Sequence, residues 1–383
     1  MKRTFPGSRL RSSVIVLVLV MMVFTTAALT VFIEKAGSDL LVDVRQSNAR
    51  RLRREAFSAL EVTLAVLEDF RQADNGLHSA AEGWGDPLGW AGWTPSEGRK
   101  VEVSFQDESG KIPLGHADVT TLTNLFEYWQ MSPSDAGKLA DVLFGWMQKG
   151  YVYATAVTPD YSDAAVPYAE PSRPLRSFSE LAAITYAREV FFDEHGLPNA
   201  NYWRLVNDLS VFTYQQPNVN GANADVLAAA GQYTEAQLQH IGDYLMGRGQ
   251  YSQEGQQWFR STATMASVAG LGGNAAPFGT TITALRILVT VREGGSTYRL
   301  SAVVAPQGGA TTNQTNATNP TAAAKNPPAA SATPVTNASQ PSSTATSAAT
   351  ASAASQTINY PFTLLEMLEN EDIPQAPPDL TQS

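Results

Sequence analysis

The chain has 383 residues, 43% of them hydrophobic, with no cysteine and a formal charge of −10. The missing thiol rules out disulfides, thiolate metal sites and cysteine nucleophiles. Residues 1–13 carry four basic groups and no acid, so the remainder sums to −14, and such a body lacks the basic surface that phosphate recognition needs; no nucleic-acid partner is expected.

Val14 to Ile33 is an uncharged apolar run, preceded by Lys2, Arg3, Arg9 and Arg11 and followed first by Glu34. At about 1.5 Å rise per residue it is long enough to cross the roughly 30 Å hydrocarbon layer. The basic residues before it predict a single pass with a cytoplasmic N-terminus and an extracytoplasmic body. A cleaved secretory signal is the competing reading, with Thr26-Ala27-Ala28 as its cut, but that cut would leave Leu29 to Ile33 as an apolar new end. Retention as an anchor is the better account.

The helical pattern continues through Leu52, Ala56, Leu60, Thr63, Leu67 and Phe70, with Arg50, Arg51, Arg53, Arg54, Glu61 and Glu68 on the polar side. Asp74-Asn75-Gly76 is a stop. A loop with Trp84, Trp90 and Trp93 among glycines follows, and its indoles are expected to cover the edge of a small core. Val101, Val103 and Phe105 alternate as in a half-buried strand. Far downstream Leu285 to Val291 and Tyr298 to Ala302 alternate around a Gly294-Gly295 hairpin turn.

Between these strands the pattern is mostly helical. Leu122, Leu125, Phe126 and Trp129 share one face. Leu139, Val142, Leu143 and Trp146 share another after Ser132-Pro133, and Ser177 with Glu180 has capping-box spacing before Leu181 and Ile184. Asn223 and Thr234 are further N-cap candidates. The four histidines, His78, His116, His195 and His240, show no His-x-x-x-His pairing, and neither a Gly-x-Ser-x-Gly elbow nor a Walker loop occurs; a non-enzymatic protein is expected. Asp193-Glu194-His195-Gly196 is taken as a solvated turn.

Beyond Ala305 the composition narrows to Ala, Thr, Ser, Asn and Pro, which predicts a tail without a packed core. It closes with Tyr360, Phe362, Leu364, Leu365 and Leu368 before acidic Glu369 to Asp372. That patch suits docking on a partner or folding back onto the body, and chance apolar residues in an unstructured end account for it equally.

An ordered series of motifs carries a resemblance. Ser13-Val14-Ile15-Val16-Leu17 opens the apolar segment. VEVSFQDESGKIPL, Val101 to Leu114, contains Asp107, Glu108, Gly110 and Lys111. A helix around Trp146 is followed by Pro167-Tyr168, then by Arg173-Pro174 with Glu180 and Leu181, and finally by Asn218-Val219-Asn220. The chain thereby resembles the minor pseudopilins of the general secretion pathway protein K family, of bacterial type II secretion systems, from about Arg11 to about Val304.

The resemblance implies an α+β, pilin-like fold: a long N-terminal helix packed on a small antiparallel sheet, with a large inserted all-α domain and a disordered C-terminal tail. The expected divisions are a leader at 1–13, a membrane helix at 14–33 and the pilin helix, tryptophan loop and first strand at 34–114. An inserted helical domain at 115–270, closing strands at 271–304, a low-complexity linker at 305–358 and an amphipathic segment at 359–383 complete the chain.

It also implies an inner-membrane anchor, a periplasmic body and a place at the pseudopilus tip. Other minor pseudopilins, the prepilin peptidase and the inner-membrane secretion platform are the implied partners. The processing junction is Ser12-Ser13, although the family ordinarily has glycine where Ser12 stands; Gly7-Ser8 is the fallback. Counting from Ser13, the fifth residue is Leu17, where filament subunits carry glutamate, and a subunit with nothing ahead of it needs no such group.

Departures from the family pattern are Gly115 for asparagine, Gly221 for threonine, and Gly145 and Gln148 where acids often flank the tryptophan. Family members can bind calcium through carboxylates of the inserted domain. The candidates here, Asp160, Asp163 and Glu170, are too sparse to assign a site or any cofactor, since calcium takes six to eight oxygens. The alternative from another class is a membrane-anchored extracytoplasmic binding or envelope protein.

Overall fold

A computed structural model describes residues 9–157, 159–162, 167–271, 277–312 and 361–374, with the side chains of 9–14 and 41 left out of the description. In chain order the elements are α1 (Arg9–Asp74), α2 (Pro87–Trp90), β1 (Arg99–Asp107), β2 (Ile112–Pro113), α3 (Val119–Tyr128), α4 (Pro133–Met147), α5 (Ala187–Phe191), α6 (Ala200–Asp208), β3 (Leu209–Ser210), β4 (Phe212–Thr213), α7 (Ala224–Gly231), α8 (Glu235–Met246), α9 (Thr262–Ala269), β5 (Leu285–Glu293), β6 (Ser296–Pro306), β7 (Thr311–Thr312) and β8 (Phe362–Glu369). This is the α+β arrangement the motifs imply: a long N-terminal helix, a small antiparallel sheet and further helices between its strands. Two compact units make up the chain, one from Met1–Gln106, Arg286–Val303 and Glu366–Ser383, the other from Asp107–Leu285 and Val304–Leu365.

In the first unit α1 is continuous for 66 residues, about 100 Å at helical rise. Its described residues up to Ser47 are exposed all round, including Ile15, Phe24 and Phe32 at 62%, 71% and 69%. The stretch is apolar, with mean hydropathy 2.7 over its best 18-residue window, long and apolar enough to cross a membrane. From Leu52 onward one stripe turns inward: Leu52, Ala56, Ala59, Leu60, Thr63, Val66 and Leu67 are buried. The three- and four-residue spacing places them on one face, and small Ala56 and Ala59 allow close approach. Asp74 ends the helix, and Asn75 follows at φ 55°, the left-handed conformation that asparagine tolerates.

The sheet has the order β1-β5-β6-β8. Arg99 at the start of β1 bonds Glu293 at the end of β5, and Arg292 bonds Glu102, so these two strands run antiparallel. The Gly294-Gly295 turn makes β5 and β6 a hairpin, with Gly294 at φ 56°. Tyr298 and Arg299, early in β6, meet Glu369 and Asn370 at the end of β8, so the last pair is antiparallel as well. Burial alternates along all nine residues of β1, as its sequence predicts. The fourth strand comes from the apolar patch before the acidic close; residues 313–360 and 375–383 of the tail lie outside the described residues.

Trp84 is buried, with its ring edge on Phe105 of β1 at 4.9 Å. Trp90 departs from the expectation for the loop. It is 63% exposed, with its ring 5.0 Å from that of half-buried Phe70.

The second unit has its own core, running from Ile112 to Phe278 through α3, α4, α7 and α8. Ser132 caps α4 with Pro133 at the first turn, and Asn223 caps α7 by accepting from the Val226 amide. Thr234 donates its amide to Gln237 in a capping box at α8. At Ser177 the structure corrects the sequence reading. A six-residue 3-10 helix, Phe178–Ala183, stands where an α-helix start was expected. The Glu180 carboxylate is engaged by the Arg176 amide and by Arg173, so it does not close a box on Ser177.

Candidate functional site

The motif residues gather into two nodes of the second unit. In the first, the turn after β1 meets the Asn218–Gly221 turn. Asp107 Oδ1 accepts from the Ser109 hydroxyl at 2.6 Å and the Gly110 amide at 3.1 Å, and Oδ2 accepts from Asn218 Nδ2 at 2.6 Å. The Asn218 amide reaches back to the Ser109 carbonyl at 2.7 Å. Asn220 spends its whole side-chain amide on distant backbone: Nδ2 donates to the carbonyls of Phe259 and Thr280, and Oδ1 accepts from the Phe259 amide.

Backbone contact explains the glycines. A Cβ on Gly110 would overlap Gly221, and one on Gly221 would overlap the Asp107 carboxylate. Threonine at 221, the residue the resemblance leads one to expect, has no room beside Asp107. Burial pushes Asp107 up to about 6, against the pull of its Ser109, Asn218 and Gly110 donors.

Glu108 and Lys111 are buried beneath this turn and form an ion pair at 2.9 Å. Ser210 donates to Glu108, and the Tyr214 hydroxyl lies 2.8 Å from the carbonyls of Glu108 and Lys111. Burial holds the Tyr214 phenol well above its ordinary value. The parallel pairing of Ile112 with Leu209 and Pro113 with Ser210 brings these groups together.

The second node surrounds Trp146. Its ring lies 5.5 Å from Tyr161 and 6.2 Å from Tyr168, which stack on one another at 5.0 Å. Tyr168 donates its hydroxyl to the Ala183 carbonyl at 2.7 Å, and the neighbouring Pro167 continues this loop. Leu181 is fully buried, and Glu180 pairs with Arg173 at 3.2 Å. Burial opposes the charge on Glu180, but the Arg176 amide and Arg173 outweigh it and lower its pKa.

The carboxylates are spent on backbone and side-chain donors, which makes them locks between chain segments. The histidine in Asp193-Glu194-His195-Gly196 sits in a turn, with Asp193 Oδ1 accepting from the amides of His195 and Leu197.

Of the implied calcium donors, Asp160 and Glu170 are among the described residues. Asp160 is exposed and accepts from the Ser162 amide, Glu170 accepts from the Tyr153 hydroxyl, and Asp163 lies outside the described residues. No group of three close carboxylate or imidazole ligands among the described residues includes either. Tyr153 also occupies the space beside Gly145, so an acidic side chain there would collide with its ring.

On α1 the Ser12-Ser13 backbone is helical, and those side chains lie outside the description. Arg53 pairs with Glu369 of β8 at 2.8 Å. Glu55 is buried on the inner side, accepting from the Ser96 amide and hydroxyl and from Arg99. Glu55, Ser109, Ser210 and Tyr214 were not singled out in the sequence. Glu55 gave one signal, as a lone acid flanked by the inward Leu52, Ala56 and Ala59.

No known family profile matches the chain, and no curated protein does. Among solved structures it is similar to the crystal structure of the GspK-GspI-GspJ complex from the enterotoxigenic Escherichia coli type 2 secretion system. The sequence identity is 14%, covering 68% of this chain and 92% of that one, at a TM-score of 0.49.

Proposed function

We propose that this protein is a non-enzymatic minor pseudopilin, acting at the tip of a type II secretion pseudopilus in its initiation or capping and so in protein export across the outer membrane. The observation that carries the reading is the continuity of α1. One helix is apolar and uncovered over its first half, then turns a buried stripe toward the sheet within the same unit. An anchor joined rigidly to a folded body suits an assembly subunit extracted from or held in a bilayer better than it suits a flexibly tethered binding protein.

In this reading Val14–Ile33 is a single inner-membrane span, the N-terminus is cytoplasmic and the body periplasmic. Leu17 stands where filament subunits carry glutamate, which suits a subunit with no neighbour ahead whose N-terminal amine would need a partner. The Asp107–Asn218 and Trp146–Tyr168 nodes hold the insert's long excursion to a fixed geometry. The partners are other minor pseudopilins, the prepilin peptidase and the inner-membrane platform.

The test is mass measurement of the mature N-terminus after expression with the cognate prepilin peptidase, combined with co-purification of the other minor pseudopilins. A chain beginning at Ser13 that brings those subunits with it supports the assignment. An intact Met1 with no pseudopilin retained would overturn it.

A further inference from the structure

Asp74, His78 and Glu82 recur at four-residue intervals, from the last residue of α1 through the Asn75-Gly76 turn to the end of the 3-10 helix Ala80–Glu82. One ligand atom from each lies within 4.8 Å of the other two, the one such group among the described residues. The His78 side chain is enclosed, 8% exposed, with Nε2 4.0 Å from Asp74 Oδ2.

Glu82 is held from behind. Its Oε1 accepts from the His78 amide and its Oε2 from the Trp84 indole, both at 2.9 Å. Each oxygen retains a second lone pair. Asp74 is 37% exposed and opens the cluster to solvent. The arrangement therefore has an enclosed imidazole, a carboxylate oriented by outer donors and a second carboxylate at an entrance, the elements that orient ligands in a metal centre.

We propose that Asp74, His78 and Glu82 bind a divalent transition-metal ion of zinc's class. One imidazole and two carboxylates suit such a borderline ion, whereas calcium takes six to eight oxygens and gains little from a nitrogen. Tetrahedral zinc with bonds of about 2.0–2.2 Å sets its ligand atoms about 3.4 Å apart, so the group closes by roughly an ångström on binding. Asp74, the exposed member, supplies most of that movement. Three protein ligands leave one position for water. The bound ion ties the C-terminus of α1 to the turn that seats Trp84 on Phe105.

The site stands independently of the pseudopilin reading, since it rests only on the first unit's side chains. The test uses the full-length, tag-free chain in detergent, stripped with a chelator and titrated with zinc chloride by calorimetry at about pH 7.5. One zinc per chain is expected, with Asp74→Asn weakening binding about tenfold or more and His78→Asn abolishing it. Excess calcium should not compete. Because His78 is buried, Asp74→Asn decides the matter if the histidine variant fails to fold. Absence of saturable zinc binding, binding that Asp74→Asn leaves unchanged, or displacement by calcium would each overturn the proposal.

Discussion

Asn218 donates to the Asp107 carboxylate at 2.6 Å across a sequence separation of 111 residues, binding the exit of β1 to the turn before α7. Asn218 is fully buried, so Asn218→Ala withdraws a donor from an enclosed carboxylate. A loss of about 2–3 kcal/mol is expected, read as a lower urea midpoint with an unchanged slope. Asn218→Asp should cost more at pH 8 than at pH 5, because two facing carboxylates then share the site.

Asp107 itself imposes a pH dependence. Burial raises it to about 6 from an ordinary 3.8, so the proton is held more tightly in the folded chain than in the unfolded one. The stability this provides is fully present below about 3.8 and is lost as pH rises through about 6. A shift of that size corresponds to about 3 kcal/mol. The check is unfolding of the wild type and Asp107→Asn at intervals between pH 4 and 7. The difference between them should slope across that window, and a flat difference would contradict the assignment.

Glu55 carries the opposite sign. Burial alone would raise its pKa, but the Ser96 donors and Arg99 outweigh it and hold it below its usual value. Its contribution is present above about 4.5 and is lost as pH falls through the folded value. Glu55→Ala releases the exposed Ser96 amide to solvent and leaves Arg99 with Glu293 alone. A cost of about 1–2 kcal/mol is expected, measurable as a lower midpoint for the first unit at neutral pH.

The glycine pair tests packing without charge. Gly221→Ala forces a methyl into the Asp107 carboxylate, and Gly110→Ala forces one into the Gly221 backbone. Each should cost about 1–3 kcal/mol and lower the melting temperature by several degrees. Gly92→Ala has nothing within 4 Å of its new methyl. That control isolates the backbone strain expected at its φ of 62°.

Removal of residues 361–383 deletes β8 and exposes the hydrogen-bonding edge of β6. Concentration-dependent self-association is expected from light scattering, since an unpaired edge is a template for another strand. Glu369→Ala, which removes only the exposed tie to Arg53 and the Tyr298 contact, should change stability by no more than about 1 kcal/mol.

Local chemistry was legible in the sequence wherever a residue's role was satisfied within a few positions. Ser132 and Asn223 cap the helices their spacing predicts, Asp74-Asn75-Gly76 stops α1, and Gly294-Gly295 turns the hairpin. Period-two alternation exposed β1, β5 and β6 for the same reason. Roles that depend on distant partners were not legible. Nothing near Tyr214 announces that its hydroxyl reaches the carbonyls of Glu108 and Lys111, and Glu180 looked like a capping residue because Arg173's claim on it is a tertiary fact. The strand in the tail escaped because burial along Phe362–Glu369 has no period-two order: one residue is buried, three are exposed and four are half-buried. The Asp74, His78 and Glu82 spacing was visible, but a search for paired histidines passes over a series containing only one.

The order of the sheet has a consequence in time. β1 waits for β5 and β6, which leave the ribosome only after residues 108–284 have been made. Until then the Leu52 to Leu67 stripe of α1 has no strand hairpin to cover it. The last-made hairpin and β8 are thus the rate-setting pieces, because widely separated partners meet slowly and leave apolar surface open meanwhile. A nascent chain stalled before Leu285 would be a client for chaperones, with its stem made and its sheet still missing.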